Sequence, residues 1–342
     1  MVKLTFKEVG QGDSIIIEWS KEEKEFIGFI DCNLKPGKIN PSLKYLQSTS
    51  YQTIEFIILS HPHDDHYSGL NELLLYCESK GIVIKKFYHT CHSVPVFLKS
   101  ADSFKLFLKS VVFSAEARKE IYKMFHTIKR LKHLNIIEKV PPITDETKEI
   151  VLADGFKLDF LSPSDTEYDT YNSLAHKMNP VVKSNNPDAN YLSTVITIYN
   201  ENYSILLTSD AVTAALKRLG LRATKRLGNN LSLAQIPHHG ALANFYKAFW
   251  KNRSIPKGMP AVISVGENFY EHPSLEAIES LQKLGATIYL TNSVDSCRVP
   301  EALEVATYLN WVSGSTEPID NILAKSYSKD IVCYLNEHAV VI

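Results

Sequence analysis

Six consecutive residues, His61-Pro62-His63-Asp64-Asp65-His66, place three imidazoles and two carboxylates directly after the apolar run Ile54 to Leu59. The apolar run predicts a buried strand. Polar groups at the end of such a strand need partners if they are buried, and imidazoles and carboxylates are common metal ligands. The spacing His-x-His-x-Asp-His lets side chains point at two neighbouring sites. It therefore indicates a binuclear metal centre, and the alternative is a solvated polar loop.

Five further polar segments follow one another along the chain. They are Val9-Gly10-Gln11-Gly12-Asp13-Ser14, Asn190-Tyr191-Leu192-Ser193, Leu207-Thr208-Ser209-Asp210, Pro237-His238-His239-Gly240 and Asn268-Phe269-Tyr270-Glu271-His272-Pro273. Together with the HxHxDH run, these segments resemble the metallo-β-lactamase superfamily. Within it they are similar to the soluble C-terminal hydrolase domain of the bacterial DNA-uptake channel protein ComEC and to related free-standing hydrolases. The resemblance covers residues 1–92 and 150–295.

The resemblance implies an α/β fold, a four-layered αββα sandwich with its site at the strand ends. Two strand-rich halves, each with helical stretches, agree with this expectation. We predict a single hydrolase domain, 1–342, because the candidate ligands run from His61 to His239 and must converge in one core. Within it, residues 94–149 show helical spacing of apolar residues and predict a helical insertion. Residues 300–342 match none of the motifs and predict a C-terminal extension that ends in a hairpin.

The resemblance also implies how two divalent ions, zinc or manganese, would be held. His61 and His63 would bind one ion, and Asp65 and His66 would bind the other. Asp210 would bridge both ions, although by itself it also suits the N-cap of a helix predicted over 211–219. Asp65 is in addition a candidate for taking the proton of the nucleophile.

His238 and His239 follow a predicted strand, Leu231 to Pro237, on which adjacent side chains would point opposite ways. They are therefore not expected to bind the same ion. By resemblance His239 is the ligand beside Asp65 and His66, and His238 would hydrogen-bond an oxyanion or a leaving group. The two assignments can be exchanged.

Many members of the superfamily supply a further histidine where this chain has Asn190, so the His61/His63 site is expected to be the more open one. His176 and His92 are alternatives for that ligand. Among the remaining candidates, Asp13 and Asp31 are expected to orient histidine ligands, and Asp31 alternatively forms a turn. Asn190 is a further candidate for the layer of residues around the metal ligands. Asn268 and His272 are candidates for contact with the scissile group.

The bulk properties limit the choice of function. The net charge of −1 provides no overall attraction to nucleic acid or anionic membranes, so any polyanion site must be local. Five scattered cysteines without a CxxC pair predict reduced thiols rather than a disulfide framework. No apolar run reaches the roughly 20 residues of a membrane helix, and the first residues lack the form of a signal peptide. A cytoplasmic protein without a membrane partner is expected.

The leading hypothesis is a phosphodiesterase or nuclease that acts on DNA or RNA through a hydroxide activated by two metal ions. A basic helical insertion would hold the phosphate backbone, or it is an ordinary solvated face. The first alternative is a hydrolase of small phosphodiesters or lactones with the same metal centre. The second is a non-catalytic, metal-stabilised module whose insertion binds a protein partner; Ser209, often Gly in the family, and Ala241, often Ser, favour it. The oligomeric state is not indicated.

Overall fold

The computed structural model describes residues 1–35, 37–91, 115–153, 155–176, 189–221, 231–266, 272–292, 330–335 and 340–341. Two β-sheets pack face to face, and helices cover the outer face of each sheet. The predicted αββα sandwich is thereby confirmed. Within these ranges, no helix combines the length and the apolar character that crossing a membrane requires.

The first sheet takes its strands from the N-terminal half of the chain and from the C-terminal end. They are β1 (Val2–Phe6), β2 (Ile15–Lys21), β3 (Lys24–Ile30), β4 (Thr53–Ile54), β5 (Phe56–Leu59), β6 (Val83–His89), β7 (Ile137–Lys139), β15 (Ile331–Leu335) and β16 (Val340–Val341). Their order is β16-β15-β1-β2-β3-β5-β6, and β4 and β7 both pair with β6. The strands β15 and β16 form the antiparallel hairpin that the tail predicts.

The second sheet contains the strands of the later half. They are β8 (Ile150–Val151), β9 (Lys157–Ser162), β10 (Val195–Tyr199), β11 (Ser204–Leu207), β12 (Leu233–Gln235), β13 (Pro260–Ile263) and β14 (Thr287–Leu290). Their order in space follows the chain, with antiparallel pairs up to β11 and parallel pairs from β11 to β14.

The strands bury side chains on both faces, as a four-layered sandwich requires. In β2, Ile15 and Ile17 point to the core between the sheets, where Phe160 and Leu207 meet them from the second sheet. The intervening Ile16 packs under the helices of the outer layer. This alternation follows from the two-residue period of a strand, and it explains why β2 is apolar at consecutive positions.

Eight α-helices lie within the described ranges. They are α1 (Pro41–Gln47), α2 (Asp64–Tyr67), α3 (Leu70–Lys80), α4 (Ala115–His133), α5 (Asp165–His176), α6 (Thr213–Leu221), α7 (Lys247–Lys251) and α8 (Leu275–Lys283). Residues of α1, α3 and α4 cover the first sheet, and residues of α6, α7 and α8 cover the second. The chain pattern does not predict α1 and α5. The short helix α1 depends on a local cap, because the Asn40 side chain accepts a hydrogen bond from the Leu43 amide.

Part of the predicted insertion is integrated into the first half of the sandwich. The buried stripe of α4 contains Ile121, Phe125 and Ile128, and it packs against α3. After α4 the chain enters β7, which joins the first sheet beside β6. The segment 94–149 thus contains a strand as well as a helix, and its residues 94–114 lie outside the described residues.

Candidate metal centre

The loops that follow strands of both sheets meet at one edge of the sandwich. Parallel neighbours end at the same edge of a sheet, so the ends of β3 and β5 place Asp31 and His61 together. In the second sheet, the ends of β11 and β12 do the same for Asp210 and His239. Because the two sheets face each other, both pairs of loops reach a common centre.

The carboxylate of Asp210 lies at that centre and is almost completely buried. One oxygen, Oδ1, lies 3.6 Å from His66 Nε2 and 3.7 Å from His239 Nε2. The other oxygen, Oδ2, lies 3.7 Å from the Nε2 atoms of both His61 and His238. Two imidazoles thus face each oxygen, which is the arrangement expected of a carboxylate shared between two cations.

Two sets of side chains offer ligand atoms close enough together to hold an ion. Asp65, His66, His239 and Asp210 form the first set; the Asp65 carboxylate lies 3.3 Å from His239 Nε2 and 3.8 Å from His66 Nε2. His61, His63 and Asp210 form the second set, with 3.1 Å between His61 Nε2 and His63 Nδ1. We refer to these sets as the Asp65/His66 site and the His61/His63 site.

In the Asp65/His66 site, hydrogen bonds hold a proton on Nδ1 of both histidines, so Nε2 is the nitrogen left to bind a metal. His66 Nδ1 lies 2.7 Å from Asp31 Oδ2 and donates its proton to that carboxylate. His239 Nδ1 lies 3.0 Å from the backbone carbonyl of Ser264, which can only accept. With Nδ1 protonated, the Nε2 of each neutral ring carries a lone pair directed at Asp210.

A chain of hydroxyls determines the tautomer of His61. Ser60 Oγ donates to Asp31 at 2.6 Å, and Ser209 Oγ donates to Ser60 Oγ at 2.8 Å. Both hydroxyl protons are thereby used, so the two oxygens accept from His61 Nδ1 at 3.2 and 3.3 Å. The Nε2 of His61 is therefore also bare. Ser209 contributes to this orientation.

The polar atoms at the centre fit cations. His66 Nε2, His239 Nε2 and Asp210 Oδ1 are buried and have no hydrogen-bond partner among the described residues, and buried polar atoms of this kind are rare in folded proteins. Their separations of 3.6 and 3.7 Å are long for hydrogen bonds. Ligand atoms of a tetrahedral site with bonds of about 2.0–2.1 Å lie about 3.3 Å apart, which is close to the distances observed. Nitrogen and carboxylate donors together suit zinc or manganese.

Burial and opposite charges dominate the electrostatics of these side chains. Burial is the largest single influence and disfavours a charge on His239, but the carboxylates of Asp210, Asp65 and Asp13 together outweigh it and raise the pKa of His239 to about 9. In the same way, Asp31, Asp210 and Asp65 together outweigh burial and raise the pKa of His66 well above 6.5. For His61, burial and the charge of His66 both lower the pKa well below 6.5. Protonated imidazoles therefore compensate the carboxylates, and cations that bind must displace those protons.

The Gly-Gln-Gly-Asp-Ser segment packs directly against the Asp65/His66 site. The amide of Asp13 donates to the backbone carbonyl of Asp65 at 3.1 Å, and the Asn33 side chain donates to the carbonyl of Gln11 at 2.6 Å. Gly12 has a φ of +123°, and a Cβ there would lie 2.3 Å from the Asp65 carbonyl oxygen. The second glycine of the motif thus permits a backbone contact that positions Asp65.

We expect Gly12→Ala to destabilise the protein and to weaken metal binding. The added methyl group overlaps the Asp65 carbonyl and the Asn33 amide, and overpacking with backbone displacement costs about 1–3 kcal/mol. Urea denaturation measures the free energy of unfolding, and zinc titration measures binding by the folded fraction. Gly81→Ala is the matched control: Gly81 also has a positive φ, +67°, but a Cβ there would meet no described atom within 4 Å. Equal losses in both variants would contradict the overlap.

His238 and His239 do not continue the strand, and this part of the sequence prediction is wrong. The strand β12 ends at Gln235, and both histidines lie in a 3₁₀ turn, Pro237–Gly240, with φ of +50° and +54°. Their side chains consequently both reach the Asp210 carboxylate rather than pointing opposite ways. The N-cap alternative for Asp210 is also wrong, because the next helix begins at Thr213.

Of the remaining residues that the sequence suggests for the site, some lie near the metal ligands and others lie outside the described residues. Asn190 is buried in the 3₁₀ turn Ala189–Leu192, and the ring of His272 lies 5.5 Å from that of His238 in an edge-on contact. Asp13 receives a hydrogen bond of 2.7 Å from Gln235 Nε2 and belongs to the polar layer around His66. Asn268 and His92 lie outside the described residues, as does the side chain of His176.

Three residues that orient side chains of the site were not predicted from the sequence. Ser60 contacts both Asp31 and His61, Gln235 holds Asp13, and Asn244 holds His238. Ser60 had a usable signal, since it lies between the end of a predicted strand and His61. Gln235 and Asn244 lie far along the chain from Asp13 or in an irregular turn, and no local pattern marks them.

No protein-family model and no curated protein matches the chain. Among solved structures, it is similar to the metallo-β-lactamase fold protein YhfI from Bacillus subtilis, with 11% identity, a TM-score of 0.46, and coverage of 85% of this chain and 96% of YhfI. It is also similar to Zn²⁺-bound PqqB from Methylobacterium extorquens, with 8% identity, a TM-score of 0.46, and coverage of 85% and 98%. A third is the short form of human tRNase Z, with 13% identity, a TM-score of 0.38, and coverage of 85% and 91%.

Proposed function

We propose that the protein is a metal-dependent phosphodiesterase that acts on DNA or RNA. One observation carries the proposal: the buried carboxylate of Asp210 is surrounded by four imidazole Nε2 atoms at 3.6–3.7 Å. For three of these rings, buried acceptors hold the proton on Nδ1. Such a donor set is arranged for cations and has no evident role in packing.

Each group of this chain then has a distinct task. Asp65, His66, His239 and Asp210 would hold one ion, and His61, His63 and Asp210 would hold the other. When bound, the ions would supply a water of lowered pKa and positive charge beside the attacked phosphoryl group. The side chain of Asp65 remains 31% exposed, so it is within reach of incoming water and is the candidate for accepting its proton.

The helix α4 supports a polyanionic substrate. Its described residues from 119 to 133 contain five Lys or Arg side chains and one acidic residue, Glu120. The helix contacts α2, which carries Asp65 and His66. Arg130 pairs with Glu78 and Lys123 pairs with Glu120, which leaves Lys119, Lys129 and Lys132 in excess. The face begins where α4 contacts α2 and runs to Arg130, which pairs with Glu78 near the far end of α3. It would hold a phosphate backbone that extends away from the site, although the whole chain is near neutral.

A substrate panel tests the proposal. The full chain, purified without chelator, is analysed for metal by mass spectrometry and then assayed with Mn²⁺ or Zn²⁺ on single-stranded DNA, RNA, bis-p-nitrophenyl phosphate and a lactone. We expect about two metal equivalents and hydrolysis of the phosphodiesters. Hydrolysis of only the lactone or only the small phosphodiester would replace the nucleic-acid assignment by a small substrate. Two bound ions without any hydrolysis would favour the non-catalytic module.

The combined variant Lys119→Ala, Lys129→Ala, Lys132→Ala is expected to weaken nucleic-acid cleavage selectively. Each phosphate contact on a single strand contributes about 0.7 to the salt slope, so three lost contacts should reduce the slope of log KM against log salt by about 2. KM for DNA should rise about tenfold or more at physiological salt, and kcat/KM for bis-p-nitrophenyl phosphate should be unchanged.

The matched control removes the same number of lysines from strand ends rather than from α4. Lys21 ends β2, Lys24 begins β3 and Lys157 begins β9, so all three lie at strand ends away from the site. At about 3.3 Å per residue, the length of β2 separates Lys21 from the site by roughly 20 Å. If this control changes the salt slope as much as the α4 variant does, α4 is not the substrate surface.

A further inference from the structure

His238 occupies a position that its neighbours determine closely. Its φ of +50° directs the ring back over the end of β11, and its amide donates to the carbonyl of Ser209 at 3.0 Å. A non-glycine residue with positive φ is uncommon, and here two occur consecutively, at His238 and His239. The effect of this turn is that both rings face one carboxylate.

The tautomer of His238 follows from the amide of Asn244. Asn244 Nδ2 donates to the backbone carbonyls of Asp210 at 3.3 Å and of Ala211 at 3.1 Å. Two carbonyl acceptors fix which end of the amide is nitrogen, so Asn244 Oδ1 must accept the 2.9 Å hydrogen bond from His238 Nδ1. The proton of the neutral ring therefore lies on Nδ1, and Nε2 carries a lone pair.

That lone pair faces an oxygen that cannot donate to it. His238 Nε2 lies 3.7 Å from Asp210 Oδ2, the same oxygen that lies 3.7 Å from His61 Nε2. A separation of 3.7 Å is too long for a hydrogen bond, and it leaves room for a cation between the two atoms. His61 and His238 thus approach the same carboxylate oxygen with the same ring nitrogen, and a cation beside that oxygen would be within reach of both.

We propose that His238 is a metal ligand, which completes the His61/His63 site with a third imidazole. This inference rests on the metal centre of the proposed function. Each ion would then have four protein donors: Asp65, His66, His239 and Asp210 on one side, and His61, His63, His238 and Asp210 on the other. Asn244 is the positioning residue of His238, through the 2.9 Å hydrogen bond to Nδ1. Adjacent histidines of one turn therefore serve different ions.

The predicted consequence is a selective loss of one ion. Metal-free protein is titrated with Zn²⁺ by calorimetry, and the Co²⁺ form is followed by its visible absorption, which reports the ligands directly. Wild type should take up two equivalents. In His238→Ala and His238→Gln, one equivalent should keep its affinity and the other should bind at least about 100-fold more weakly. Asn244→Ala should weaken the same equivalent by about 10–100-fold, as loss of an orienting partner does.

Two control variants distinguish the alternatives. Asn190→Ala should leave both affinities unchanged, and His239→Ala should weaken the equivalent that His238→Ala retains. Thermal melting establishes that each variant is folded, and the glutamine variant replaces the alanine variant if the latter is not. The assignment would be overturned if both His238 variants still bound two Zn²⁺ ions with wild-type affinity. It would also be overturned if Asn190→Ala, instead of the His238 variants, lost one of the two ions. Wild-type protein that binds two ions but hydrolyses no phosphodiester would refute the proposed function alone.

Discussion

Asp210→Ala is expected to remove metal from both sites at once and to abolish phosphodiesterase activity. Each oxygen of the Asp210 carboxylate faces two imidazoles at 3.6–3.7 Å. Asp210 is therefore the one donor that the two sites share, and its removal affects both. The ions are expected to supply several kcal/mol of transition-state stabilisation. At 1.36 kcal/mol per factor of ten, the loss of activity should be on the order of 10³-fold or more. Metal content by mass spectrometry and initial rates on bis-p-nitrophenyl phosphate measure both effects.

The protonation of the neighbouring histidines should change in the same variant. In metal-free wild type, His66 and His239 hold the pKa of Asp210 well below 3.8 in spite of its burial. Conversely, Asp210 is the largest contribution that raises the pKa of His239 to about 9. Removing Asp210 should therefore lower the pKa of His239, which NMR titration of the imidazole measures. Asp145→Ala is the control, because Asp145 pairs with Arg218 instead. A variant that keeps two ions and normal rates would disprove the bridging role.

Asp31→Asn should have the second largest effect, through the tautomer of His66. Asp31 Oδ1 accepts from the Ser60 amide at 2.8 Å, and Oδ2 accepts from His66 Nδ1 at 2.7 Å. The Ser60 amide cannot reorient, so an asparagine would keep its oxygen there and turn its NH₂ group towards His66. His66 would then have to carry its proton on Nε2, where it blocks the metal. We expect a loss of metal affinity of about 10–100-fold or more at the Asp65/His66 site.

This variant is a clean test because the backbone should tolerate it. Asp31 has a φ of +55°, and asparagine is one of the residues that adopt this region readily. Imidazole ¹⁵N shifts report the tautomer, and zinc calorimetry reports the affinity of each site. Asp159→Asn is the matched control, a buried aspartate in β9. An unchanged His66 tautomer together with unchanged zinc binding would show that Asp31 does not orient the ligand.

The positions of the first motif could be predicted because its residues are neighbours in sequence. His61, His63, Asp65 and His66 follow a strand whose apolar pattern is unambiguous, and the chain bends into α2 directly afterwards. Their mutual distances are therefore set within six residues. The four-layered architecture was implied by the family resemblance. Strands such as β2 and β11 agree with it, since they are apolar at consecutive positions and must be covered on both faces.

The region around His238 shows where local patterns fail. The apolar run from 231 to 237 predicts a longer strand than β12, which ends at Gln235. Both histidines then adopt positive φ, a conformation that the residue types do not demand and that contacts from Ser209 and Asn244 stabilise. Asn244 in turn depends on the carbonyls of Asp210 and Ala211, which belong to another part of the chain.

What the sequence by itself determined is the kind of protein: a two-sheet α/β sandwich whose histidines and aspartates occur at the ends of strands. Periodicity and local spacing carry that information, because the apolar period shows which faces are buried and short motifs place neighbouring side chains together. Only the tertiary structure decided which nitrogen of each ring is bare and which carboxylate oxygen it faces. Those features depend on hydrogen bonds between residues as distant as Ser60 and Ser209 or Asp13 and Gln235. Such contacts exist only once both sheets have packed together.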